Sequence, residues 1–106
     1  EGEEEGEEDE EDVEPEVEIS VRKYTPDVRP WIPFHADRAY ATVNVALGDD
    51  AQHAGGHLLA MFDGSVRAIR REQGEATVHG PPLLHAVSRV AVGARYSLIM
   101  FVHPFK

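Results

Sequence analysis

No cysteine occurs in this chain, which excludes disulfides and thiolate metal sites together. Any metal would have to be held by histidine and carboxylate, and the chain has six histidines and 20 acidic residues. Long apolar runs are also missing. Nothing approaches the roughly 20 residues of a membrane-spanning helix, so no membrane segment is expected here, and no signal peptide is visible. Neither absence fixes a compartment. A third shortage is local: residues 1–18 contain no Lys or Arg, yet hold thirteen of the 20 acids. Residues 19–106 then carry seven acids against all ten basic residues, so the net charge of −10 belongs to the acidic run and the remainder is mildly basic.

Residues 1–12 consist only of Glu, Asp and Gly and cannot bury apolar surface. The expected organisation is an acidic, disordered linker over 1–18 followed by one small domain over 19–106. The chain starts at Glu1 rather than Met, which reads as a piece of a longer polypeptide.

Amphipathic helices are lacking too. The one helix-like stretch, Arg67–Gln73, has no apolar stripe of any length. What is there instead is a series of short alternating or β-branched runs: Val17–Tyr24, Phe34–Asp37, Tyr40–Leu47, His57–Phe62, Val66–Ile69, Ala76–His79, Leu83–Val87 and Arg95–Val102. Three prolines predict a loop over Thr25–Pro33, and Asp63-Gly64-Ser65 is a hairpin signal. About eight short strands with Gly/Pro turns indicate an all-β sandwich or barrel.

The chemistry centres on His35-Ala36-Asp37. In an extended strand residues i and i+2 point to one face, so these two side chains can grip one ion. His85 is a third candidate, within the apolar run Leu83-Leu-His-Ala-Val87. Two histidines and one carboxylate make the facial triad of non-haem Fe(II) oxygenases, which leaves open coordination positions. Each piece alone has a plainer reading: a His-x-Asp in a loop arises by chance, and a lone His in an apolar strand is more often a core residue. Arg95 alters the balance. It opens a strand in which Arg95, Ser97, Ile99 and Phe101 share a face, and a guanidinium inside a barrel is costly unless it meets an anion. A dicarboxylate's far carboxylate suits its two-pronged donor set, with the Ser97 hydroxyl adding a bond.

Taken together, His35-Ala-Asp37, the Gly55-Gly56 pair and His85-(nine residues)-Arg95-x-Ser97 resemble the prolyl/lysyl-hydroxylase type of Fe(II)/2-oxoglutarate dioxygenases over about residues 19–102. The resemblance implies a double-stranded β-helix, or jelly roll, with the helices that would cover it absent from these residues. It implies His35, Asp37 and His85 as iron ligands, and Arg95 with Ser97 and Tyr24 as contacts of 2-oxoglutarate. The Pro-rich loop between Tyr24 and His35 looks slightly longer than is usual in the family. Leu58 stands where the family often has a hydroxyl-bearing residue, and Arg95 where many members have Lys. The activity implied is hydroxylation of a C–H bond, prolyl or lysyl by resemblance, with O2 consumed, succinate and CO2 formed, and L-ascorbate as reductant.

The alternatives are a non-catalytic β-barrel binding module, a dioxygenase acting on a small molecule, and a cupin-like metal protein with another reaction. The substrate is a peptide or a small molecule. Nucleic acid is not expected, because Arg67, Arg70 and Arg71 form a basic strip without interleaved aromatics, read as a solvated strand edge. His53 and His57 read as loop residues near the site mouth, His79 as near the metal without touching it, and Trp31 and Phe34 as packing at the barrel rim or touching substrate. Oligomeric state is not legible.

Overall fold

A computed structural model describes residues 14–104, so most of the acidic run lies outside the described residues. Ten strands follow in order: β1 (Glu16–Tyr24), β2 (Ile32–His35), β3 (Ala41–Ala46), β4 (Ala54–Gly55), β5 (Leu58–Phe62), β6 (Ser65–Ile69), β7 (Ala76–His79), β8 (His85–Val87), β9 (Val90–Val92) and β10 (Arg95–His103). Among the described residues the one helical element is a 3-10 turn at Asp50–Gln52. Every pairing is antiparallel. One four-stranded sheet runs β1-β10-β3-β7, a second runs β2-β8-β5-β6, and β4 with β9 forms a short third. This is the all-β architecture that the strand pattern indicated, in the jelly-roll form that the resemblance implied.

The alternation of side chains explains the layering. Along β3, Thr42, Asn44 and Ala46 are buried while their neighbours are half exposed; along β10, Arg95, Ser97 and Ile99 are buried. From the other sheet come Leu58, Ala60, His85 and Val87. The resulting interior is polar for its size. Thr42, Asn44, Arg71, His85, Arg95 and Ser97 are all buried, against a compact apolar cluster of Tyr24, Val87 and Val90. Unpaired polar groups inside a protein are destabilising, so an interior of this kind signals a site.

Three boundaries differ from the sequence reading. Glu16–Glu18, assigned to the linker, are strand residues paired with Phe101–His103. Their carboxylates are exposed on an edge strand, where charge is tolerated. Pro33, assigned to a loop, lies inside β2. Since β2 is also an edge strand, the missing N–H disturbs only one side, and the register with β8 shifts there. Asp37, expected on a strand with His35, lies two residues beyond the end of β2. The 63–64 hairpin is as expected: Asp63 and Gly64 both have positive φ, the conformation that a two-residue connection between twisted strands requires. Gly55 is positioned against the backbone of Arg89, where an added Cβ would overlap the carbonyl oxygen, so only glycine fits.

Candidate metal centre

The structure brings His35, Asp37 and His85 together: one ligand atom from each lies within 4.8 Å of the others. β2 and β8 are neighbours and His35 pairs directly with His85, so the two rings face each other with centroids 4.2 Å apart. Each ring uses Nδ1 to donate to a carbonyl two residues back, His35 to Pro33 at 2.8 Å and His85 to Leu83 at 3.2 Å. A carbonyl oxygen only accepts, so Nδ1 carries the proton and Nε2 of the neutral ring presents a lone pair. Burial pushes the His85 imidazole below its usual range, against the raising effects of the Leu83 carbonyl and Asp37. Its neutral form is therefore favoured.

Both Nε2 atoms point at the carboxylate. His35 Nε2 is 3.4 Å from Asp37 Oδ1, and His85 Nε2 is 3.3 Å from Oδ2. Burial alone would raise the Asp37 carboxyl. A 2.8 Å hydrogen bond from Thr42, the charge of His85 and a hydrogen bond from His79 outweigh it and hold Asp37 below the usual carboxylate range. Three ligand atoms from separate parts of the chain thus converge. The donor chemistry fits a divalent transition metal with coordination positions left open on one side.

His79 takes a larger part than the sequence suggested. It does not belong to the group of three, yet its Nε2 is 3.1 Å from Asp37 Oδ2 and its ring is 4.4 Å from that of His85. As a donor to the Asp37 carboxylate it would orient that group from outside the coordination sphere of a bound metal. Replacing His79 by Phe will weaken Mn(II) binding by about 10- to 100-fold, as loss of such outer partners does. Titration of the metal into the variant checks this, and an affinity within twofold of wild type would reduce His79 to packing. Nothing in the chain's spacing singles out His79; only the end of β7 meeting Asp37 in space does so.

Arg95, at the start of β10, is buried at 4 % exposure. Nη1 donates to Ser97 Oγ at 3.3 Å, and the guanidinium lies 5.3 Å from the centre of the Tyr24 ring. The register explains the grouping, because Tyr24 pairs with Arg95 across β1 and β10. Nη2 is buried and has no partner. Burial pushes the guanidinium below its usual range, against the raising effects of Tyr24 and Asp50. A carboxylate arriving there would accept from the free N–H and itself bring the negative charge that no salt bridge among the described residues provides. A small cavity of about 40 Å³ has Tyr24, the ring that Arg95 faces, on its wall together with His35, Asp37, Asn44, Leu58 and His85.

No known family profile matches the sequence, and no curated protein matches it. Solved structures do match. An oxidoreductase of the 2OG-Fe(II) oxygenase family from Burkholderia pseudomallei superposes with a TM-score of 0.70 at 20 % identity, over 88 % of this chain and 48 % of that one. A Pseudomonas putida prolyl-4-hydroxylase gives 0.72 at 23 % identity, over 89 % and 54 %. A Trichoplax adhaerens prolyl hydroxylase, in complex with a hypoxia inducible factor peptide fragment, gives 0.72 at 17 %, over 84 % and 44 %. The fold is the double-stranded β-helix of these oxygenases. Cupins share this double-stranded β-helix and are also among the matches. The chain spans about half the length of the oxygenases it matches.

Several side chains are placed differently from the sequence reading. Arg71 is buried inside the barrel and is not part of a solvated strip, whereas Arg67 and Arg70 are exposed. His53 lies in a loop as expected, but its side chain is 4 % exposed and Nδ1 lies 2.8 Å from the Gly55 carbonyl oxygen. His57 is exposed, as expected of a loop residue. Trp31 and Phe34 are exposed, at 48 % and 39 %, which goes against the rim-packing alternative.

Proposed function

We propose that this chain is the catalytic core of an Fe(II)- and 2-oxoglutarate-dependent dioxygenase that hydroxylates a prolyl or lysyl side chain. The observation that carries the proposal is the pairing of two incomplete sites: converging lone pairs on His35, Asp37 and His85, and a buried Arg95 with an unpartnered N–H. A metal alone would satisfy only the first, and an anion alone only the second. One ligand that chelates the metal at one end and carries a carboxylate at the other satisfies both.

In this reading His35, Asp37 and His85 hold the iron on one side. Thr42 and His79 fix the carboxylate, and the Pro33 and Leu83 carbonyls fix the ring tautomers. Arg95 receives the distal carboxylate of 2-oxoglutarate, the Ser97 hydroxyl has its own proton free to donate, and the Tyr24 ring walls the pocket. Leu58, Val87 and Ile99 exclude water around it. When bound, iron with 2-oxoglutarate supplies the oxidising power: O2 is consumed, 2-oxoglutarate leaves as succinate and CO2, and the second oxygen atom enters the substrate C–H bond. Similarity to prolyl hydroxylases, one of them solved with a peptide, supports a peptidyl substrate.

A second reading, hydroxylation of a small molecule, is favoured by a different observation. An apolar cavity of about 340 Å³ reaches His79 and His85 between Leu58, Phe62, Val78 and Leu83. Full-length protein incubated with Fe(II), 2-oxoglutarate and ascorbate should release succinate, and more of it when substrate is present. Mass spectrometry of proline- and lysine-containing peptides then reads a gain of one oxygen. Succinate without peptide oxidation favours the small molecule, and no succinate under any condition sinks both readings.

A further inference from the structure

The barrel buries a second guanidinium. Arg71 follows β6, and its backbone is tied from two sides: its N–H donates to Asp50 Oδ2 at 3.1 Å, and that of Gln73 to Asp49 Oδ1 at 2.6 Å. Gly74 and Glu75 exchange backbone hydrogen bonds with Ala46 at the end of β3. With the loop held there, the Arg71 side chain turns inward. Nη1 donates to both the carbonyl oxygen and Oδ1 of Asn44, at 2.7 and 2.8 Å.

Three features separate Arg71 from a simple strut. It is 6 % exposed, and its Nε is buried without a partner, as Nη2 of Arg95 is. Arg71 and Arg95 line one cavity of about 90 Å³, and Asn44, which Arg71 grips, lines the neighbouring cavity that holds His35, Asp37 and His85. Among the described residues no carboxylate forms a salt bridge with either guanidinium. Asp50 shares the cavity, but its Oδ2 accepts from the Arg71 backbone and its Oδ1 lies 3.9 Å from His53 Nε2. A strut accounts for the grip on Asn44. It does not account for a second buried positive charge beside Arg95 that keeps a free N–H.

We propose that Arg71 is a second cationic positioning residue of the interior anion site, so that the distal carboxylate of a dicarboxylate is held in the field of two guanidiniums. This rests on the dioxygenase reading for the identity of the ligand, not for the existence of the site. The test is calorimetric binding of 2-oxoglutarate and, separately, of inorganic phosphate to the Mn(II)-loaded full-length protein. Wild type is compared with Arg71→Gln, Arg71→Lys and Arg95→Gln across ionic strength, with melting temperatures to establish folding.

Arg71→Gln should weaken 2-oxoglutarate by about 10- to 100-fold and flatten the salt dependence, and Arg71→Lys should restore most of both. Affinity of Arg71→Gln within twofold of wild type, where Arg95→Gln loses binding, overturns the proposal. If Arg71→Gln does not fold, Arg71→Lys decides. It keeps the charge and loses the double grip on Asn44, so a loss as large as that of Arg95→Gln assigns Arg71 to the strut role. Wild type that binds phosphate through both arginines but not 2-oxoglutarate refutes the dioxygenase reading and leaves the two-arginine site standing. Wild type that binds neither refutes both.

Discussion

Asp37→Ala will release the metal and end turnover. Asp37 supplies the one negative charge among the three proposed ligands and is the group on which both Nε2 atoms converge. Its removal leaves two neutral imidazoles, which cannot balance a divalent charge. Loss of a partner outside the coordination sphere costs about 10- to 100-fold in affinity, so loss of this ligand should cost more than about 100-fold, and succinate formation should fall below about one-thousandth. Mn(II) titration and a succinate assay read the two effects separately. The metal-free protein offers a control with a definite sign. The Asp37 carboxyl is held below its usual range by Thr42, His85 and His79 despite burial. It therefore contributes stability above the unfolded carboxyl value of about 4, and that contribution is lost as pH falls through the lower folded value. Metal-free Asp37→Ala should melt slightly below wild type at neutral pH, with the gap closing in acid. A variant that binds Mn(II) as wild type does would remove Asp37 from the ligand set.

The two ends of the site were legible in the sequence to different degrees, for a physical reason. Strand periodicity marked which face of β10 carries Arg95 and Ser97, because a period of two needs no knowledge of the partner strand. Residue propensity identified β3 and the Asp63-Gly64 turn the hairpin, both equally local signals. It misplaced Asp37, whose position depends on Thr42 five residues later and not on a strand. His79 and Arg71 were read as bystanders because their partners, Asp37 and Asn44, are 42 and 27 residues away in the chain. Contacts of that separation are set by the order of strands in the two sheets, and no local pattern carries the order. Rim packing of Trp31 and Phe34 failed for the opposite reason: large aromatics usually bury themselves, and here Trp31 precedes and Phe34 lies within an edge strand.

Arg95→Met will uncouple the stability of the barrel from its ligand. The wild-type guanidinium is buried, has one N–H without a partner, and gains only a 3.3 Å bond to Ser97 and the face of Tyr24. Replacing an uncompensated buried charge by an apolar side chain of similar length is commonly neutral or stabilising, so the ligand-free variant should melt at or above the wild-type temperature. Ligand binding should move the other way. Truncating one partner of a buried charge pair costs about 2–5 kcal/mol, so 2-oxoglutarate affinity should fall by at least about 30-fold. The increase in melting temperature that 2-oxoglutarate gives the Mn(II)-loaded wild type should then disappear. Metal affinity should stay near the wild-type value, because His35, Asp37 and His85 keep their own hydrogen bonds. A structural role for Arg95 predicts the reverse pattern: a lower melting temperature without ligand and an undiminished shift with it. Differential scanning calorimetry with and without 2-oxoglutarate therefore separates an arginine that waits for a carboxylate from one that holds the barrel together.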